Sequence, residues 1–157
     1  MKRTGEKDYC LTDKPIDMKK ILILLTACLL LASCSEKLTE KVMAKFPNGQ
    51  PRVVRYFDKQ DRCVKETEFY DSGQVKMEGG MLNDKMEGEW TSYFPDGRVQ
   101  SHGFFKDGER TGYGEAYYYN GNMYQEGSYS NGKHCGKWKF YDEQGYLLKE
   151  VDFGECE

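Results

Sequence analysis

Histidine and proline are nearly missing from this chain, with two and four copies in 157 residues. So few imidazoles leave little room for histidine-based acid–base catalysis or for a His-rich metal centre. A basic excess is missing as well. Lys and Arg number 23 against 26 Asp and Glu, a net charge of −3. That balance argues against a nucleic-acid partner, because nothing is left over to neutralise phosphates. The sequence also has no phosphate-cradling glycine loop, no nucleophile elbow and no distinctive carboxylate pair. No cofactor is therefore expected, and no catalysis. Glycine and tyrosine, in contrast, are plentiful at 17 and 12 residues, a composition that favours short strands and turns over helices. The length sets a prior of one domain.

The N-terminal segment up to Cys34 is read as an address. Met18-Lys19-Lys20 is followed by the apolar run Ile21 to Leu31 and then by Leu31-Ala32-Ser33-Cys34. Positive, apolar, then small residues is the order of a secretory signal, too short for a membrane span. Residues 1–17 carry Glu6, Asp8, Asp13 and Asp17 ahead of that signal. Acids are unusual there, and the simplest reading is a misassigned start with translation beginning at Met18. The expected organisation is a signal over 18–33, a lipidated N-terminus and linker over 34–44, and a repeat domain over 45–157.

That signal's ending resembles the lipobox of bacterial lipoproteins. The resemblance implies that Cys34 receives lipid and becomes the mature N-terminus, giving attachment to a membrane of the cell envelope, with the outer membrane expected. The alternatives are an ordinary signal with a chance Cys, or an N-terminal anchor helix. Loss of residues 1–34 removes six basic and four acidic residues, leaving 17 against 22 and a net charge of −5. Attraction to anionic headgroups is thus not expected, and membrane contact comes from the lipid.

The body repeats with a period of 24, and a repeat decides architecture before any local feature does. Gly49, Gly73, Gly97, Gly121 and Gly145 form one column. Gly88, Gly112 and Gly136 form another, and Gly79, Gly103 and Gly127 a third. Trp90 and Trp138 share a phase with Gly114 between them, while Phe57, Met81, Phe105, Tyr129 and Phe153 make an apolar column. Within each unit the alternation has the period of a half-buried strand, broken by turn clusters such as Pro95-Asp96-Gly97 and Asn131-Gly132. A unit this short cannot hold a helix with its connections. The fold class expected is all-β, an antiparallel meander of stacked two-stranded hairpins, about four and a half repeats long.

The aromatic–x–x–Gly opening, the pairs Glu78-Gly79 and Glu126-Gly127 and the closing Gly-x-Trp resemble the MORN repeat. They are closer still to its bacterial variant in YwqK-family antitoxin-like proteins. The segments that match best are Phe69 to Trp90, Tyr93 to Gly114 and Tyr118 to Trp138. The first unit departs, with Val64 and Glu66 in the Gly and Trp phases, and the last stops before its second strand. Atypical end units suit a stack whose terminal faces meet water. The resemblance implies toxin neutralisation by direct binding as one function.

Of six cysteines, Cys63, Cys135 and Cys156 fall in the body. Cys63 and Cys135 lie three full periods apart, roughly 29 Å at about 4.8 Å per strand, too far to bridge. Cys135 and Cys156 fall on adjacent strands, but ideal register sets Cys135 opposite Asp152. A disulfide there needs a frayed C-terminus, and free or intermolecular thiols stand beside it as alternatives. Such scattered cysteines do not suit a metal. His102 is expected to face solvent from a strand, and His134 falls in a turn phase.

Strict alternation places Val75, Met77, Met81, Trp90 and Phe94 on one face, with Val99, Phe105, Met123, Tyr129, Trp138, Leu147 and Phe153 further along. Phe69, Tyr93, Tyr117 and Tyr141 fall on the other, interleaved with Lys76, Glu78, Glu89, Thr91, Glu115, Glu126, Lys137 and Lys139. A β-bulge in any unit would swap these faces. The tyrosine column, about 10 Å per unit, is either cross-strand packing or a docking strip. The function expected is a membrane-anchored scaffold that binds a protein. A toxin is one candidate partner and an envelope glycan another, since the Gly-Trp units are distantly similar to cell-wall-binding repeats.

Overall fold

The computed structural model describes residues 37–157. Its strands are β1 (Thr39–Lys45), β2 (Pro51–Phe57), β3 (Cys63–Phe69), β4 (Val75–Leu82), β5 (Lys85–Tyr93), β6 (Val99–Lys106), β7 (Glu109–Tyr117), β8 (Met123–Ser130), β9 (Lys133–Tyr141) and β10 (Leu147–Asp152). All ten form one sheet whose spatial order is the chain order, each strand antiparallel to its sequence neighbours. The expected all-β meander is thus what folds. Its first strand starts inside the segment assigned from sequence to a linker over 34–44. Thr39 to Lys45 pairs with β2 from Phe57 to Pro51, and the sheet therefore begins before residue 45. The segment read as a signal and Cys34, the expected lipid-attachment residue, lie outside the described residues.

From β3 onward two kinds of turn alternate, while the β2–β3 turn at Asp58 to Asp61 repeats the four-residue kind. At one end Phe46, Tyr70, Phe94, Tyr118 and Asp142 each open a reversal in which the glycine three residues on donates its N–H back to that residue's carbonyl at 2.9–3.0 Å. Those glycines all sit at φ between 85° and 90°, the left-handed position that ends a type I turn with a bulge and that glycine fills without strain. At the other end Asn83-Asp84, Asp107-Gly108 and Asn131-Gly132 have positive φ at both residues. These are two-residue hairpin turns whose twist matches that of the strands.

The second glycine column answers to a different need. Gly80 pairs with Glu87 while Gly79 pairs with Trp90, so Gly88 and Glu89 bulge out of β5 on the β4 side. The same step recurs in β7 between Thr111 and Glu115 and in β9 between Cys135 and Lys139. Gly88, Gly112 and Gly136 take φ of 72°, 63° and 61° to make it. The bulge interrupts the ladder, and the tryptophan repairs it. Trp90 Nε1 donates to the Gly80 carbonyl and Trp138 Nε1 to the Ser128 carbonyl, both at 2.9 Å.

The indoles lie over the third glycine column. A Cβ on Gly79 or Gly127 would stand 2.3 Å from the ring of Trp90 or Trp138. Burial is concentrated there. Among the described residues the buried apolar side chains are Val54, Met81, Trp90, Cys135 and Trp138, with Trp138 only 1% exposed. From the tryptophans a line of rings runs across the modules. Trp90 meets Phe105 at 6.1 Å and Trp138 meets Tyr129 at 4.8 Å, both edge-on. In the module without a tryptophan the Arg110 guanidinium lies 5.1 Å from the Phe105 ring and 5.3 Å from that of Tyr129, joining the two.

Several expectations need correcting on register. Val75, Val99, Met123 and Leu147 sit directly across from Phe69, Tyr93, Tyr117 and Tyr141, not with Met77 and Trp90. One extra residue at each four-residue turn breaks the alternation. His134 is not in a turn but in β9, stacked at 3.8 Å on Trp138. Desolvation there pulls its pKa below the usual imidazole range. His102 is half-buried, its Nε2 at 2.8 Å from Glu89 Oε1. Cys135 and Cys156 are disulfide-bonded with Cα atoms 5.0 Å apart. The bulge at Gly136 sets Lys137, not Cys135, against Asp152, and Cys135 slides along to meet the tail. Phe153 N–H donates to the Gly136 carbonyl at 2.9 Å and holds the tail there. Cys63 is a free thiol, and burial pushes its pKa up.

Gly79→Ala should therefore cost about 3 kcal/mol of stability, because the new methyl must displace an indole. Gly49→Ala should cost about 1 kcal/mol, since its φ is 85° but nothing lies within 4 Å. Urea unfolding midpoints of the two variants measure the difference, and equal losses would contradict the packing role of the glycine column.

Candidate functional site

The face away from the tryptophans is organised by one transverse row. Thr67, Glu78, Thr91, His102, Glu115, Glu126, Lys139 and Glu150 stand opposite one another in turn across eight strands. Cations answer part of this acidity: Lys65 Nζ lies 2.7 Å from Glu78, and Lys137 Nζ 3.3 Å from Glu150. Glu115 and Glu126 are direct cross-strand partners, a like-charge pairing that costs stability unless other groups offset it.

Those groups are tyrosines. Tyr93, Tyr117 and Tyr141 are half-buried one step along from the row. Tyr93 OH donates to Glu78 Oε1 at 3.3 Å and Tyr141 OH to Glu126 Oε1 at 2.7 Å. Tyr113 OH donates to the other oxygen of the Glu126 carboxylate, and Lys139 Nζ adds a contact at 3.4 Å. Glu126 therefore accepts from two phenols and an ammonium, and these hydrogen bonds hold its pKa below the ordinary carboxylate range. The phenols move the other way. Burial, followed by the nearby Glu115 carboxylate, pushes Tyr117 up to about 12. Burial and the neighbouring Glu78 raise Tyr93, and the bond to Glu126 raises Tyr141. At neutral pH two neutral phenols are thus fixed against the ionised Glu126.

The structure thus brings Tyr93, Tyr117 and Tyr141 together as a column. Phe69 holds the same register position, but has no hydroxyl for a carboxylate and lines a cavity at the first module boundary instead. The reading from sequence missed Tyr113, which is 43% exposed. It falls on the bulge between Gly112 and Gly114, in the phase of Glu89 and Lys137. An aromatic residue standing in a charged column was the available signal. Among the described residues no group of three or more His, Cys, Asp or Glu could hold a metal ion.

A family model described as a MORN repeat variant matches residues 86–107 and 110–131. The chain thus contains two such repeats, covering β5 to β8. No curated protein matches. Among solved structures, the chain is similar to the Glycosylation Associate Protein (Gap123) complex from Streptococcus agalactiae. That match has 14% identity and a TM-score of 0.46 over 92% of this chain and 25% of that one. TarM is 13% identical with a TM-score of 0.29, covering 69% of this chain and 22% of its own. The GtfA/B complex bound to UDP and GlcNAc is 10% identical with a TM-score of 0.31, covering 77% and 24%. The chain spans a quarter or less of each of these.

Linkage gives the network a pH signature. A carboxylate whose folded pKa is depressed contributes stability that is present above its unfolded value and lost as pH falls through the folded one. For Glu126 the unfolded value is 4.5. The urea midpoint of the native chain should therefore drop on acidification below pH 4.5 more steeply than that of Glu126→Gln. Parallel acid limbs would show that the phenol–carboxylate bonds add nothing.

Proposed function

We propose that the chain is a non-catalytic, lipid-anchored protein of the bacterial envelope whose tyrosine–glutamate face holds a protein partner. The observation that carries this reading is the fixed tyrosine column. Two of its phenols are already bonded to glutamates, and binding would cost little further side-chain entropy at these positions. Tyrosine also supplies a large contact area that is apolar on its face and polar at its tip. The flanking row is rich in glutamate and the mature chain is acidic. A partner with a basic patch would meet favourable potential on this face. MORN-variant repeats are consistent with a repeat-built binding surface, which displays one extended face across several modules.

Placement outside the cytoplasm draws on two separate features. One is the Leu31-Ala32-Ser33-Cys34 ending of the apolar run. The other is the Cys135–Cys156 disulfide, since such bonds persist in oxidising compartments and are rare in the cytosol. Neither feature depends on the other.

Two outcomes are expected. Cys34→Ala should move the protein from the membrane fraction to the soluble one and abolish incorporation of labelled fatty acid. Continued anchoring without label would defeat the lipid assignment. Replacing Tyr93, Tyr117 and Tyr141 together with serine should weaken crosslinking to the partner in intact cells by about tenfold or more, as loss of aromatic anchors does. Circular dichroism would confirm that the sheet persists, and undiminished crosslinking would take the column out of the interface.

A further inference from the structure

At the turn end of the sheet a cavity of about 460 Å³ opens between the first and second modules, lined by Phe46, Arg52, Phe69, Tyr70, Asp71 and Lys76 among others. Its mouth is fixed, because Asn48 Nδ2 donates to the Asp71 carbonyl at 3.3 Å and so ties one turn to the next. The repeat supplies an internal comparison. Two periods on, Phe46 becomes Phe94, Asp71 becomes Tyr119 and Lys76 becomes Tyr124. There the chain fills the corresponding cleft itself. Tyr119 meets Phe94 edge-on at 5.1 Å, and the Arg98 guanidinium lies 4.2 Å above the Tyr119 ring. Tyr124 closes the side against Tyr118 at 5.0 Å.

The first cleft keeps the aromatic wall but lacks the ring, and Gln50 stands in the Arg98 phase; its guanidinium comes instead from Arg52, two residues further along the chain. Asp71 is too small to fill the place of Tyr119. Lys76 is turned to Glu68 at 3.6 Å, while Arg52 belongs to no ion pair among the described residues. We infer that this cleft is a docking point for an aromatic side chain of a partner polypeptide, seated against Phe46 and Tyr70 and covered by Arg52 as Tyr119 is covered by Arg98. Ring edges at about 5 Å and a guanidinium over the ring face each favour such an occupant. The site is separate from the phenol–glutamate network and does not require it.

The test is an amide-resolved NMR titration of the purified chain with acetyl-Gly-Tyr-Gly-amide, with acetyl-Gly-Ala-Gly-amide and N-acetylglucosamine as comparators. The tyrosine peptide should give saturable shifts at Phe46, Arg52, Tyr70 and Asp71 with a Kd on the order of millimolar, and the alanine peptide none. Asp71→Tyr should supply the missing ring from within and weaken the peptide at least tenfold. Should that variant not fold, Arg52→Ala should weaken it at least threefold. Absence of saturable shifts would overturn the inference. So would unchanged binding by the variant that folds, or shifts at these residues with the sugar but not the tyrosine peptide.

Discussion

A cross-strand pair of glycine and tryptophan lets this sheet stand as a single layer. Sheets ordinarily bury one face against a second layer, and the described residues offer none. Trp90 and Trp138 instead lie flat on their own sheet, over Gly79 and Gly127, where a single added methyl would strike the ring at 2.3 Å. Burying a tryptophan of about 200 Å² corresponds to roughly 5 kcal/mol as an upper figure. The indole N–H then takes up a carbonyl that the neighbouring bulge has left out of the ladder. The three glycine columns serve this arrangement. One clears the space for the ring, one makes the bulge that frees the carbonyl, and one turns the chain into the next copy.

Why so much of this could be read from sequence, and why some could not, follows from the same device. Left-handed turn positions and sub-van der Waals approaches admit almost nothing but glycine, so Gly49 to Gly145 mark the turns and Gly79 and Gly127 the ring sites with little ambiguity. Bulges leave no such mark on periodicity. The two residues beyond the ladder at Gly88-Glu89 recur in every full copy, so the 24-residue spacing survives while the facing pairs change. That is why Cys135 slid out of reach of Asp152 and onto the tail, where the disulfide forms. The one extra residue beside each four-residue turn is equally silent in the spacing, and it sets Val75 and Val99 opposite the aromatic column. The strand Thr39–Lys45 escaped notice for a different reason: it carries no glycine column and pairs through an irregular register around Met43.

The modules that depart from the pattern carry chemically specific substitutes for the glycine–tryptophan pair. In the first module Glu66 occupies the tryptophan phase, and Arg55 Nε meets its carboxylate at 2.6 Å while also reaching Asp84 at 3.1 Å. An ion-paired arginine stands where the indole would lie, and tolerates water as the ring would not. At the far end the line of rings finishes on His134 and Phe153, 5.1 Å apart, with the disulfide closing the tail across them. A stack held by nearest-neighbour contacts is weakest at its termini. Here an ion pair holds the first module and a disulfide closes the last.

This asymmetry bears on which face can serve a partner. The tryptophan face is committed to stability, since its rings are the only thick layer the sheet has and displacing them would expose glycine backbone. The opposite face carries side chains that are ordered without being buried. Glu126 is held by two phenols and an ammonium, and Tyr93 by Glu78. Their order derives from one another and not from a core. A partner that replaced one of these hydrogen bonds would leave the fold intact, because the indoles and the turns are unaffected by it. The single-layer construction thereby separates the residues that keep the sheet together from those free to exchange contacts. A surface of exchangeable, pre-ordered polar and aromatic groups on a rigid support is what reversible recognition of another protein requires.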